Sequence, residues 1–208
     1  GPEFTPDVEG AYVVELTVSD GAETDFDHVM VVATTEPWVE VTQREGTVGT
    51  EFTLKGHDYE FGSAKGKLYM GKRALKAVSW ASESILIQVK KPNPPATYDI
   101  RILPKKPKGG TQQVIWEPRC FTVKVPEVGE VTYVSAEQRY RVTGKFFGTK
   151  KGKIYLGELA CKVMKWTMNP ATNESEATFL LPKGITPGTY LLNVVNKVGR
   201  GKLEVSVP

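Results

Sequence analysis

With 208 residues, 40% of them hydrophobic and 25% charged, the chain has the size and composition of about two ordinary globular domains. No run nears the roughly 18 apolar residues that a membrane-spanning helix needs, so no membrane insertion is expected of this stretch. The net charge of +3 conceals an asymmetry: residues 1–35 carry eight acidic groups and no Lys or Arg, so residues 36–208 hold all 27 basic and the other 16 acidic groups, a net +11. Such a balance raises the question of an anionic partner, beside the plainer reading of a lysine-rich solvated surface.

Residues 1–4, Gly1-Pro2-Glu3-Phe4, have the look of a tag-protease and cloning-site remnant. Next comes a unit over 5–35. Gly10-Ala11-Tyr12-Val13-Val14-Glu15-Leu16-Thr17-Val18-Ser19-Asp20-Gly21 reads as a strand entering a turn, and 27–34 as the returning strand. A lone hairpin is marginal in water. It is therefore expected either to pack on the unit that begins at residue 36 or to pair with another chain, including a second copy. Asp20, Glu23, Asp25 and Asp27 gather at its tip; their spacing is not that of an EF-hand, and an acidic turn is the default reading.

From residue 36 onward the chain says one thing twice. Phe61-Gly62-Ser63-Ala64-Lys65-Gly66-Lys67-Leu68-Tyr69-Met70-Gly71 returns as Phe147-Gly148-Thr149-Lys150-Lys151-Gly152-Lys153-Ile154-Tyr155-Leu156-Gly157, and each copy then reaches a tryptophan, Trp80 or Trp166. Helical periodicity is nearly absent. Short runs of Val, Ile, Thr, Tyr and Phe alternate with Gly, Pro and Asn clusters, the pattern of a sandwich or barrel. Strands are expected at 38–42, 50–56, 66–70, 73–80, 84–89, 97–103, 112–116 and 119–125, then at 131–135, 138–144, 152–156, 159–167, 175–181, 188–195 and 201–207. Period-two alternation turns Leu68 and Met70 inward with Ile154 and Leu156, and leaves Lys67/Tyr69 and Lys153/Tyr155 facing out. The fold class is all-β, with two units at 36–126 and 127–208 and Pro126-Glu127-Val128-Gly129 as the joint.

The chemistry-bearing residues are few. His28 and His57 are the only histidines, and no nucleophile–base arrangement, carboxylate pair or metal-ligand cluster can be picked out. No catalysis, no cofactor and no metal are therefore expected. Cys120 and Cys161 lie in different repeats and read as free buried thiols. Asn173-Glu174-Ser175 fits a glycosylation sequon, of the kind chance supplies in a chain of this length. The binding candidates are the outward pairs Lys67/Tyr69 and Lys153/Tyr155, supported by Lys65, Lys72, Arg73, Lys150 and Lys151 as a basic, aromatic strip. Opposed to that stands an ordinary sheet with one solvated face. Trp38 is read as a domain-packing residue; for Trp116, domain packing and stacking on a sugar stand level.

Several of these features resemble the IPT/TIG family of immunoglobulin-like domains. The first copy has Pro37, Gly46, Gly49-Thr50, Gly56, Phe61-Gly62, Gly71 and Ser79-Trp80 but lacks the glycine before Thr97-Tyr98. The second has Gly144-Lys145-Phe146-Phe147-Gly148, Gly157, Trp166 and Pro187-Gly188-Thr189-Tyr190 but lacks the early Pro-Gly segment. That resemblance implies two immunoglobulin-like β-sandwiches in tandem, with Trp80 and Trp166 as core plugs. Residues 5–35 are similar to the C-terminal part of a PKD domain. Together they imply a surface or secreted multidomain protein, hence an extracellular or cell-surface location. The expected role is a spacer, adhesion or protein-interaction unit whose partners are other surface proteins or glycans. Carbohydrate or polyanion binding through the basic aromatic faces is the alternative. Some TIG-type domains belong to transcription factors, but the acidic N-terminal unit argues against nucleic acid as a partner.

Overall fold

The computed structural model describes residues 10–33, 37–135 and 139–207. The hairpin consists of β1 (Gly10–Ser19) and β2 (Thr24–Ala33), antiparallel in a two-stranded sheet of their own. Its tip is held by Asp20, whose Oδ1 accepts the amides of Ala22 and Glu23, both at 2.9 Å. Donation by the Glu23 and then the Ala22 amide holds the Asp20 carboxyl below its usual range. Apolar side chains stand exposed on both faces: Val13 opposite Met30 on one, and Leu16, Val18 and Val29 on the other.

Nine strands build the next unit: β3 (Trp38–Val41), β4 (Glu45–Gly46), β5 (Glu51–His57), β6 (Lys67–Met70), β7 (Arg73–Ala74), β8 (Lys76–Trp80), β9 (Ser84–Gln88), β10 (Thr97–Leu103) and β11 (Ile115–Val123). They form two sheets, β3-β5-β9-β8 and β4-β11-β10-β6-β7. The remaining strands are β12 (Glu127–Val134), β13 (Arg139–Lys145), β14 (Lys153–Leu156), β15 (Leu159–Ala160), β16 (Lys162–Met168), β17 (Glu174–Leu180), β18 (Gly188–Val195) and β19 (Arg200–Val207). These pair as β12-β13-β17-β16 and β15-β14-β18-β19. In both halves the first, second, fifth and fourth strands of an immunoglobulin sandwich share one sheet and the third, sixth and seventh the other. The protein is all-β: two immunoglobulin-like β-sandwiches in tandem behind an N-terminal hairpin.

Alternation explains the cores. Leu68 and Met70 are buried on β6, as Ile154 and Leu156 are on β14. Phe52 and Phe121 stack across the first sandwich at 4.6 Å between ring centres, among Leu54, Ile85, Ile87, Ile100 and Ile102. Phe147, Phe179, Leu192 and Val194 occupy the second.

The duplication is visible in polar contacts as well. Gly62 and Gly148 take φ of 73° and 87°, a left-handed conformation that glycine adopts freely. Their carbonyls accept the indole N–H of Trp80 at 2.9 Å and of Trp166 at 2.8 Å. Both indoles are half-buried, so they clamp a turn at the sandwich margin as well as filling the core. In each copy the strand leading to that tryptophan carries a bulge, between Ala77 and Ser79 or between Val163 and Lys165. A lysine satisfies the carbonyl at the bulge: Lys65 Nζ donates to Ala77 O at 3.1 Å and Lys151 Nζ to Val163 O at 2.7 Å. These two lysines belong to the scaffold rather than to an outward basic strip. A tyrosine corner also recurs, with Tyr98 Oη donating to Pro94 O and Tyr190 Oη to Thr186 O, each at 2.9 Å.

Two expected strands divide and two merge. The runs 73–80 and 159–167 break at Leu75 and Cys161, where the chain crosses between sheets after Leu75 N bonds Leu68 O and Cys161 N bonds Ile154 O, both at 2.9 Å. Conversely, 112–116 and 119–125 form the single strand β11. Pro118 and the positive φ of Arg119 sit opposite the irregularity between Tyr98 and Ile100, and the Arg119 amide donates to Asp99 Oδ1 at 2.8 Å. The repeated indole clamp is directly testable. Trp80→Phe and Trp166→Phe each keep an aromatic ring but leave a glycine carbonyl without its donor, so each should cost about 1–2 kcal/mol in urea denaturation. Loss of less than a few tenths in both variants would contradict the assignment.

Candidate functional site

On β6, β10 and β11 the residues that do not enter the core point outward together. Tyr69 pairs with Arg101, and Arg101 pairs with Trp116, so the three stand in one lateral row across three adjacent strands. At the usual strand spacing the row runs for about 10 Å from Tyr69 to Trp116. The Arg101 guanidinium carbon lies 5.4 Å from the centre of the Tyr69 ring, a cation–π contact that leaves Tyr69 half-buried. Trp116 is 62% exposed. Beside the row, exposed Lys67 pairs with Leu103, and Ala74 flanks Tyr69 on its other edge. Of the expected binding residues, Lys67, Tyr69 and Trp116 thus come together. Arg101, which sequence reasoning did not single out, lies between the two rings; its place in a β10 run that alternates with buried Ile100 and Ile102 is the signal that could have found it.

Past Leu103 the face runs toward a cleft of about 570 Å³ between the 60–64 turn and the loop carrying Lys105, Lys106 and Lys108. These three lysines are exposed; Glu60 is the acid in the cleft wall. Asp99, the next outward acid on β10, has its carboxylate engaged by the Arg119 amide.

The second sandwich builds a different face from the equivalent strands. Tyr155 pairs with Asn193 and Asn193 with Lys202, while Lys153 pairs with Val195 and Val195 with Arg200. Asn193 is buried, and its amide turns back to Leu191 O at 3.1 Å. Lys153 and Tyr155 therefore lie on a basic face whose exposed arginine, Arg200, stands in the Lys153 row, while the Tyr155 row itself has neither an arginine nor a second aromatic ring. Trp38 is on the opposite sheet of the first sandwich. It stacks on His57, from the neighbouring strand of its own sandwich, at 4.1 Å and 7°, and is 46% exposed. His57 Nε2 contacts Glu40 Oε2 at 3.1 Å; that hydrogen bond, with nearby Lys55, lowers the Glu40 carboxyl.

The second notable constellation lies between the sandwiches. Residues 46–50 are all buried. Inside this turn Thr47 N donates to Thr50 Oγ1 at 2.8 Å, and Thr50 Oγ1 in turn donates to Asn173 Oδ1 of the second sandwich. Asn173 Nδ2 returns a bond to Glu45 O at 3.2 Å, Glu51 N reaches Pro170 O at 2.8 Å, and Thr149 N reaches Val48 O at 3.2 Å. Gly49 has φ 101°, and a Cβ there would lie 2.3 Å from Thr149 Oγ1. Lys124 Nζ joins Glu45 at 3.4 Å to Glu127 at 3.2 Å across the connection. The sequon asparagine is thus an interior hydrogen-bonding residue, 1% exposed.

Among the described residues, no three or more His, Cys, Asp and Glu side chains are grouped so as to hold a metal ion. Cys120 is buried and Cys161 half-buried, both as free thiols. Burial pushes each up to about 11, which withholds the thiolate needed for nucleophilic or redox chemistry.

No protein-family model and no curated protein matches the sequence. Solved structures similar to the chain include the SGBP-B protein of the mixed-linkage glucan utilization locus of Bacteroides ovatus, in complex with a mixed-linkage heptasaccharide. It shows 14% identity over 85% of this chain and 48% of that one, at a TM-score of 0.30, so the chain spans about half its length. Murine CEACAM1b matches at 12% identity over 83% of this chain and 99% of its own, at 0.28. Bovine butyrophilin matches at 11% over 79% and 93%, at 0.30.

The thiols give a pH prediction. The folded state holds these protons from 9.0 up to about 11. Their effect on stability is thus absent below the unfolded value and grows unfavourably as pH rises between the two. Replacing both with alanine should flatten the fall in denaturation midpoint over that window, beyond any uniform offset from lost packing. An unchanged slope would show that burial does not perturb them.

Proposed function

We propose that this chain is a non-catalytic module of an extracellular or cell-surface protein, serving as a spacer, adhesion or protein-interaction unit. In this reading residues 5–35 are the end of a PKD-like domain, 36–126 and 127–208 are two IPT/TIG-like domains, and residues 1–4 are not native. The observation that carries it is the hydrogen-bonded joint around Asn173 and Thr50. A buried polar joint resists bending, because opening it exposes donors and acceptors that are matched only to one another. Two sandwiches so coupled hold a ligand or a neighbouring domain at a set distance, which is what a spacer does. The exposed apolar hairpin supports contact with a further domain or a second copy through that unit.

Asn173→Ala removes both side-chain bonds across the joint. It should cost about 1–3 kcal/mol, and solution scattering should show a broader distribution of maximum dimension than for the parent chain. Independent tumbling of the sandwiches in the parent chain itself would overturn the spacer reading.

A second reading, carbohydrate or polyanion binding through the basic aromatic faces, is favoured by the single row of Tyr69, Arg101 and Trp116. It expects retention of the full chain on an anionic polysaccharide at low salt, weakening as salt rises; no retention would end it.

A further inference from the structure

We infer that the face made by β6, β10 and β11 of the first sandwich is a binding site for a carboxylated polysaccharide, a chain of uronic acid units. This deepens the second reading above and rests on it; what it adds is the ligand class and its restriction to the first of the two basic faces.

The row supplies two kinds of recognition in alternation. Trp116 and Tyr69 offer flat rings, Trp116 largely uncovered, on which the apolar face of a sugar ring can lie. Arg101 sits between them, paired laterally with both. A guanidinium presents a planar fork of donors that matches a carboxylate in bidentate fashion, which an ammonium does not. A polymer carrying carboxylates at intervals along a string of sugar rings presents the complementary alternation. Its charge can continue past Leu103 onto Lys105, Lys106 and Lys108 around the 570 Å³ cleft. A neutral glycan would offer Arg101 and these lysines no counter-charge. A nucleic acid strand places a charge about every 3.4 Å, denser than one arginine between two rings matches.

The second sandwich cannot present the same surface although its strand repeats the first. At the place of Arg101 it has the buried Asn193, and at the place of Trp116 it has Lys202. It keeps one ring, Tyr155, and the arginine of that face, Arg200, lies in the neighbouring Lys153 row and not between two rings. The difference comes from β10 and β11 and their counterparts β18 and β19, outside the repeated motif.

The test titrates the full chain with polygalacturonate at low salt and with the same polymer methyl-esterified, which caps the carboxylates and keeps the sugar rings. Trp116→Ala and Arg101→Gln should each weaken polygalacturonate binding about tenfold or more, the size of one lost stacking or charge-assisted contact. Tyr155→Ala should change it less than twofold, and the ester should bind at least tenfold more weakly than the acid. Trp116 and Arg101 are exposed, so unchanged thermal unfolding would verify that both variants fold. Equal binding of acid and ester would overturn the inference, as would preference for a single-stranded oligonucleotide. Loss with Tyr155→Ala and not with Trp116→Ala would move the ligand to the second sandwich, overturning the inference while leaving the broader reading intact. No binding of polygalacturonate at low salt, with retention on another polyanion, would overturn the ligand class alone; no retention on any would end both.

Discussion

The turn at 46–50 is the constraint on which the arrangement of the whole molecule depends. Within the first sandwich it carries β4 into parallel register with β11, and a side chain on Gly46 would meet both Phe121 and Thr50 at under 3 Å. On its outer side it is covered by the 146–149 and 169–173 loops of the second sandwich, so every residue from 46 to 50 is buried. Thr47 and Thr50 are both fully buried, and a buried hydroxyl left unpaired costs about 1–3 kcal/mol. Their partners therefore set where the second sandwich can sit. An apolar joint of equal area would permit sliding; matched donors and acceptors permit one register.

Asn173 answers this demand in both position and conformation. Its φ of 61° is the left-handed region that asparagine tolerates better than most residues, and its amide N–H is satisfied by Asn169 O at 2.9 Å. The loop thereby turns both ends of one side-chain amide across the joint. The three residues between β11 and β12 are tied to the same joint: the Lys124 amide donates to Gly46 O at 2.8 Å, and a side chain on Gly199 or Gly201 would collide with Val125 or Pro126.

The duplication separates what holds each sandwich from what each shows to solvent. The indole–glycine clamp, the lysine on the bulge carbonyl, the tyrosine corner and the inward strand faces occur in both copies. None of them occupies the lateral row of β6, β10 and β11 or its counterpart on β14, β18 and β19, so that surface is free to differ. It does differ: an arginine between two aromatic rings on one sandwich, a buried asparagine with Lys153, Lys202 and Arg200 around it on the other.

Most of the scaffold was legible in the sequence. Strand alternation at Leu68, Met70, Ile154 and Leu156 assigns the core faces, because side-chain direction along a strand is a local matter of period two. The repeat and its glycines predict turns for the same local reason. Lysine roles were not legible. Lys65 and Lys67 are two positions apart in a glycine-rich turn, yet one caps a bulge and the other is solvated, and only the path of the returning strand separates them. Nor was the place of Trp38, whose ring rests on His57 across a strand pair. The sequence by itself determined that this is an all-β chain with two like units and a hairpin. Only the tertiary structure decided that Tyr69, Arg101 and Trp116 share a row and that Thr50 meets Asn173, a partner 123 residues away. Register between strands and contact between domains are properties of distant segments brought together, and no local period encodes them.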